Sequence, residues 1–179
     1  MKTAYLLCGL LISLLPLAHL SASYDDDGDG SLLLLATEAH AATTSSAALT
    51  TIEKKQLALR AKEARKKAYA PYSNYPVGAA LLTHTGEIYS GANVENASYG
   101  LMICAERLAI FQAVNDGNRT FKAMAISLKN GASPCGACRQ VLYEFSPNLI
   151  ILIADENGLI VKETTIGELL PAPFGPNNL

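Results

Sequence analysis

The chain has 179 residues, half of them hydrophobic, and a formal net charge of −2. That length suits one compact domain with an extension, and the near-neutral balance excludes the basic surplus of a typical nucleic-acid binder. Four cysteines in a chain of this length exclude a disulfide-scaffolded mini-domain.

Met1 to Ser23 reads as a secretory leader. Lys2 gives a positive start, Ala4 to Leu17 is an apolar run too short for a comfortable membrane span, and Ser21, Ala22 and Ser23 offer small residues for cleavage. Export, for instance to a periplasm, is the expectation; the alternative is a cytoplasmic protein with a mis-assigned start. Residues 24–50 read as a flexible linker, rich in Ala, Ser and Thr from Ala39 to Ala48. Asp25 to Gly30 resembles the first half of an EF-hand loop, with acids at loop positions 1, 3 and 5 and Gly at 6. Ala36 stands where the bidentate Glu should be, so a solvated acidic linker is the expectation there.

The domain is expected over residues 51–179. Ile52 to Ala70 reads as a helix, with Leu57, Ala61, Ala64 and Ala68 on one face and Pro71 as its stop. Its lysines are interleaved with Glu53 and Glu63, the pattern of a solvated face. Val77 to Thr83 and Glu87 to Val94 read as strands around a turn at His84-Thr85-Gly86, followed by a polar segment from Asn93 through Gly100. A second helix is expected over Cys104 to Val114, a strand over Phe121 to Leu128, and a third helix over Cys135 to Phe145. Leu149 to Ala154 is a continuous apolar run, typical of a strand buried on both faces. Leu159 to Val161 reads as a last strand, and Thr165 with Glu168 forms a capping box for a short helix ending at Pro171. Helices interspersed among strands imply a three-layer α/β domain.

The chemistry concentrates in Cys104-Ala105-Glu106-Arg107 and Pro134-Cys135-Gly136-Ala137-Cys138-Arg139-Gln140. Zinc takes thiolates in tetrahedral geometry, and a catalytic site keeps one position open for water. Cys104, Cys135 and Cys138 give that ligand count. A Cys-x-x-Cys pair alone fits a redox pair, a disulfide or half of a structural zinc knuckle. A redox pair leaves Cys104 and Glu106 without a role. A structural zinc site is normally closed by a fourth Cys or His, whereas Cys8 lies in the apolar leader and His19, His40 and His84 have no ligand spacing to the cluster. Cys104 and Cys135 fall at helix starts, where the helix dipole favours thiolate. Arg107 and Arg139 follow the ligands closely enough to offset excess negative charge by hydrogen bonds to sulfur. Glu106 is placed to take a proton from water at the open position and pass it to a ring nitrogen. Cys-x-Glu followed by Pro-Cys-x-x-Cys is the pattern of the zinc nucleobase deaminases, and this mechanism is that of the class.

From Thr51 to Leu179 the chain resembles the homotetrameric cytidine deaminases. The resemblance rests on Pro71 to Ala80, Asn93-Val94-Glu95-Asn96, Cys104 to Arg107, Pro134 to Gln140, and Leu169-Leu170-Pro171 with Phe174-Gly175-Pro176. It implies a three-layer α/β/α fold with a central mixed sheet of about five strands and one zinc per chain. It implies hydrolytic deamination of free cytidine and deoxycytidine to uridine and deoxyuridine plus ammonia, in pyrimidine salvage. By the same resemblance Asn93 and Glu95, with Asn96 beside them, hold the ribose. Ala105 offers its backbone N–H to the pyrimidine carbonyl, and Tyr75, where the family usually has Phe, stacks on the base. Tyr72 and Phe174 reach across subunit contacts, so a homotetramer with shared active sites is implied. A blasticidin-type or nucleic-acid-editing deaminase is the nearest rival. The clamp Asn93-x-Glu95-Asn96 favours a free nucleoside, and neither nucleic acid nor a stable membrane association is expected as a partner.

Overall fold

Alternation along the strands decides the layers of this fold. In the computed structural model, which describes residues 48–175 and 178–179, α1 (Thr51–Arg65) precedes the hairpin of β1 (Gly78–Thr83) and β2 (Ile88–Ala92). Then follow α2 (Ala105–Asn115), β3 (Phe121–Ser127), α3 (Gly136–Phe145), β4 (Ile150–Ala154), β5 (Ile160–Thr165) and the short α4 (Ile166–Leu169). The expected leader, the Asp-rich segment and all but the end of the expected linker lie outside the described residues. The five strands form one sheet in the order β2-β1-β3-β4-β5. β3 and β4 are parallel and the other pairs antiparallel, so the sheet is mixed. A parallel pair needs a crossover, and α3 supplies it.

Ala79, Leu81, Met124, Ile126, Ile151 and Ile153 point to the face covered by Ala105, Ala109, Ile110 and Leu142 of α2 and α3. Ala80, Leu82, Ala123, Ala125, Leu152 and Ala154 point to the opposite face, against Leu57, Ala58 and Ala61 of α1. The α1 face is built largely of alanines, so that helix lies close to the sheet. A Cβ on Gly78 would stand 2.1 Å from the Ala61 carbonyl oxygen, which leaves room for glycine alone. Each fully buried Leu or Ile stabilises this arrangement by about 1.5–3 kcal/mol. No described helix is long and apolar enough to cross a membrane.

Three boundaries differ from the sequence reading. α1 ends at Arg65 rather than at Ala70. Tyr69 instead joins an isolated parallel bridge with Val94, its N–H donating to the Asn93 carbonyl (3.0 Å) and its carbonyl accepting from Glu95 N–H (2.8 Å). Those long-range bonds outweigh the helix propensity of the Lys66-Lys67-Ala68 run. At the other end, Thr50 caps α1 in a full capping box with Glu53, and Leu49 is buried against the α1 face of the sheet. The ordered domain therefore reaches into the stretch expected as linker. β5 continues to Thr165, with exposed Lys162 and Glu163 on an edge strand where polar residues are at home.

Candidate active site

Two helix N-termini meet beyond the end of β3. Cys104 is the N-cap of α2 and Cys135 the N-cap of α3, and neither sulfur is used to cap a backbone N–H. Cys138 lies one turn into α3, three residues on, and therefore on the same helix face as Cys135. The Cys135 and Cys138 sulfurs are 3.5 Å apart, and all three Sγ atoms lie within 4.8 Å of one another. Tetrahedral zinc with bonds of about 2.3 Å puts its sulfurs roughly 3.8 Å apart, so the donor set fits the metal. No fourth ligand completes this group among the described residues, which leaves a coordination position open.

The surroundings polarise the cluster. Hydrogen bonding from the Cys138 thiol, assisted by Arg107, holds the Cys104 thiol down at about 5 despite partial burial. Cys138 is pushed the other way by that shared bond and by burial, so Cys104 carries the first negative charge. Arg107 Nη2 donates to the Met102 carbonyl at 3.2 Å and approaches Cys104 Sγ at 3.8 Å. Arg139 does not take up the sulfur contact expected of it. Its Nε donates to the Pro134 carbonyl (2.7 Å), Nη1 to the Leu169 carbonyl (2.9 Å) and Nη2 to Ser133 Oγ (2.8 Å). It fastens the loop before Cys135 to the end of α4.

Glu106, the second residue of α2, is 5% exposed. Burial raises its carboxyl to about 7, and the negative charge on Cys104 adds to the rise. A carboxyl poised there both accepts and donates protons near neutral pH. Gly91 of β2 sets how closely the first turn of α2 lies on the sheet. A Cβ there would stand 2.3 Å from the Ala105 carbonyl oxygen.

Glu106, Cys104, Cys135 and Ala105 share a cavity of about 440 Å³ with Tyr75, Asn93 and Glu95. Asn93 Oδ1 accepts from Val77 N–H (2.8 Å) and its Nδ2 donates to the Tyr75 carbonyl (3.0 Å). Glu95 Oε2 accepts from Tyr72 N–H (2.8 Å) and Ser73 N–H (3.1 Å), and Oε1 accepts from Ser73 Oγ. The Ser73 hydroxyl, followed by these backbone donors, keeps the Glu95 carboxyl below its ordinary range, so it is an anion at neutral pH. Ile126, Leu128, Ala132 and Ser133 complete the wall at the carboxyl end of β3, where ligands of open α/β sheets commonly bind.

Three of the expected substrate-binding residues lie outside that wall. Asn96 is exposed, and its Oδ1 accepts from Ser98 N–H at 2.8 Å. Tyr72 is exposed, its ring 6.0 Å from that of Tyr99. Phe174 is also exposed, its carbonyl accepting from Gln140 Nε2 at 2.9 Å. Conversely, sequence reasoning missed Ser73, Leu128 and Ser133. Ser73 stood inside the Pro71–Ala80 motif, and the C-terminal end of a strand was the signal for Leu128 and Ser133.

Comparison with known proteins gives concordant likenesses. The family described as "Cytidine and deoxycytidylate deaminase zinc-binding region" matches residues 51–154. The cytidine deaminase of Sporosarcina psychrophila is 47% identical over 127 residues, covering 69% of this chain and 93% of its own. That of Halalkalibacterium halodurans is 45% identical over 126 residues, covering 69% and 95%. Among solved structures, the cytidine deaminase from Burkholderia pseudomallei superimposes with a TM-score of 0.65 at 46% identity, covering 70% of this chain and 100% of that one.

Proposed function

The chain belongs to the cytidine and deoxycytidylate deaminase family, and from that premise we propose how its residues carry out the reaction. It is a zinc-dependent hydrolase that converts free cytidine and deoxycytidine to uridine and deoxyuridine with release of ammonia. One observation carries this reading: two thiols of a three-thiol cluster, Cys104 and Cys135, share a single cavity with the buried Glu106 carboxyl and the polar clamp of Asn93 and Glu95, and Cys138 stands beside them.

Cys104, Cys135 and Cys138 would hold the zinc, which when bound supplies Lewis-acid activation of water near neutral pH. Glu106 takes the proton of the attacking water as the C4–O bond forms, and places it on N3. It then carries the remaining proton, from the new C4 hydroxyl, to the exocyclic nitrogen. The C4–N bond breaks as the C4 carbonyl forms, and ammonia leaves with that second proton while the first stays on N3. Burial, which favours its protonated form, suits Glu106 to return the proton it takes. Arg107 offsets the negative charge of the thiolates through its approach to Cys104 Sγ. Ala105 presents its backbone N–H to the pyrimidine carbonyl, Tyr75 packs on the ring, and Asn93 and Glu95 receive the sugar hydroxyls. Their common place in the cavity wall supports these roles. Arg139 acts one step back, by fixing the Ser133–Pro134 loop.

A homotetramer with shared sites is the assembly we propose. Tyr72, Tyr99, Leu101 and Phe111 are large apolar side chains that remain exposed, as surfaces meant for a partner do. Phe174 and Asn96, exposed in the single chain, belong to that shared surface in this reading. Acting on free nucleosides places the enzyme in pyrimidine salvage. Export rests on the composition of Met1 to Ser23 alone.

The test is Glu106→Gln. The amide keeps the shape and a hydrogen bond to water but accepts no proton. Zinc content should stay at the wild-type level while cytidine turnover falls by about 10²–10⁴-fold or more. Near wild-type turnover would assign the proton transfers to another group.

A further inference from the structure

Glu95 and Asn93 face the cavity, yet most of their hydrogen-bonding capacity is spent on the chain itself. The segment they grip, residues 71–77, contains no helix or strand pairing of its own until β1. Pro71 and Pro76 have no N–H to give, and the local backbone bonding of the segment is the one turn closed by Asn74 N–H on the Ala70 carbonyl (3.1 Å). Side chains fix the rest. The Ser73 hydroxyl donates to Glu95 Oε1 and accepts from Tyr75 N–H at 3.1 Å. The Tyr75 carbonyl accepts from Asn93 Nδ2 at 3.0 Å. Both backbone polar groups of Tyr75 are therefore held by side chains, and Tyr75 is the one aromatic residue in the cavity wall among the described residues.

We propose that Ser73 is a positioning residue that couples the Glu95 carboxylate to the Tyr75 ring, so that sugar and base are received by one hydrogen-bonded unit. This rests on the reading of the cavity as the nucleoside site. Ser73 does no chemistry. It fixes where the ring stands relative to the carboxylate, and its effect reaches ligands that lack the 2′- and 3′-hydroxyls.

The experiment compares the zinc-loaded wild type with Ser73→Ala and Ser73→Thr. It measures kcat and KM for cytidine, and the inhibition constant of 2′,3′-dideoxycytidine against cytidine. Losing a hydrogen bond to a charged group should raise KM in Ser73→Ala by about tenfold. The constant for dideoxycytidine should rise by a similar factor, with kcat within a few-fold of wild type and zinc content unchanged. Ser73→Thr, which keeps the hydroxyl, should restore both constants. A loss confined to cytidine would overturn the coupling, because Ser73 would then act on the sugar alone. So would unchanged constants in Ser73→Ala, a fall in kcat at constant KM, a Thr variant no better than Ala, or a dideoxycytidine that fails to compete on the wild type. A wild type inert toward cytidine would overturn the functional reading, and this inference with it.

Discussion

Glu106 is held where a carboxylate is least comfortable. Its pKa is about 7 in the fold against an ordinary 4.5, so the fold favours the protonated form. Below pH 4.5 the group is protonated folded or unfolded, and no stability is lost. Between 4.5 and 7 the unfolded chain ionises first, so stability falls as pH rises. Above 7 the whole cost is present, about 3 kcal/mol in the metal-free protein. Metal-free Glu106→Gln should therefore melt roughly ten degrees above metal-free wild type at pH 8. At pH 4 the two should melt together. Equal melting at pH 8 would mean that the cavity solvates the carboxylate. The trade is the familiar one in which a site is stabilised at the expense of its activity.

At the scale of elements, the site depends on how closely α2 lies on β2. Gly91→Ala puts a Cβ 2.3 Å from the Ala105 carbonyl oxygen and 2.7 Å from Ala109 N, both backbone atoms that yield only if the helix moves. Overpacking of this kind costs about 1–3 kcal/mol. The helix carries Cys104 and Glu106, and a shift near 1 Å can cost about 10²-fold in rate. The variant should fold, bind zinc more weakly and lose at least tenfold in kcat; wild-type zinc affinity and kcat would show that α2 is not set by this contact. The thiol cluster was legible in the sequence because its spacing is covalent: Cys135 and Cys138 are one helical turn apart, and helix starts are read from local pattern. The five strands and the α/β class were legible from period and turn residues for the same reason. The end of α1 was not, because Tyr69 leaves the helix to pair with a segment remote in sequence. Nor was the direction of Arg139, whose adjacency to a ligand says nothing about which carbonyls its guanidinium can reach. Asn96 lies outside the cavity wall because its side chain turns to the Ser98 N–H, a local loop bond that motif position does not specify. Tyr72 and Phe174, expected at subunit contacts, are exposed in the single chain.

For the molecule as a whole, the domain holds itself together from Leu49 onward. Leu49 is 7% exposed, and Thr50 caps α1. Burying such a leucine stabilises by about 1.5–3 kcal/mol, and a Thr cap by about 1 kcal/mol. A chain starting at Ser45 keeps both and should match the full chain in melting temperature and in kcat for cytidine. A chain starting at Thr51 should melt roughly ten degrees lower with kcat little changed. Equal melting of the two shortened chains would show that Leu49 and Thr50 contribute nothing to the fold.

The central claim is that Cys104, Cys135 and Cys138 hold a zinc on which cytidine deamination depends. The direct measurement is zinc per chain alongside the fall in ultraviolet absorbance of cytidine, followed through chelation and zinc return. One zinc per chain is expected, with activity lost on chelation and regained with the metal, and Cys138→Ala should have neither. Full deamination by metal-free protein, or by Cys138→Ala without bound zinc, would contradict the claim.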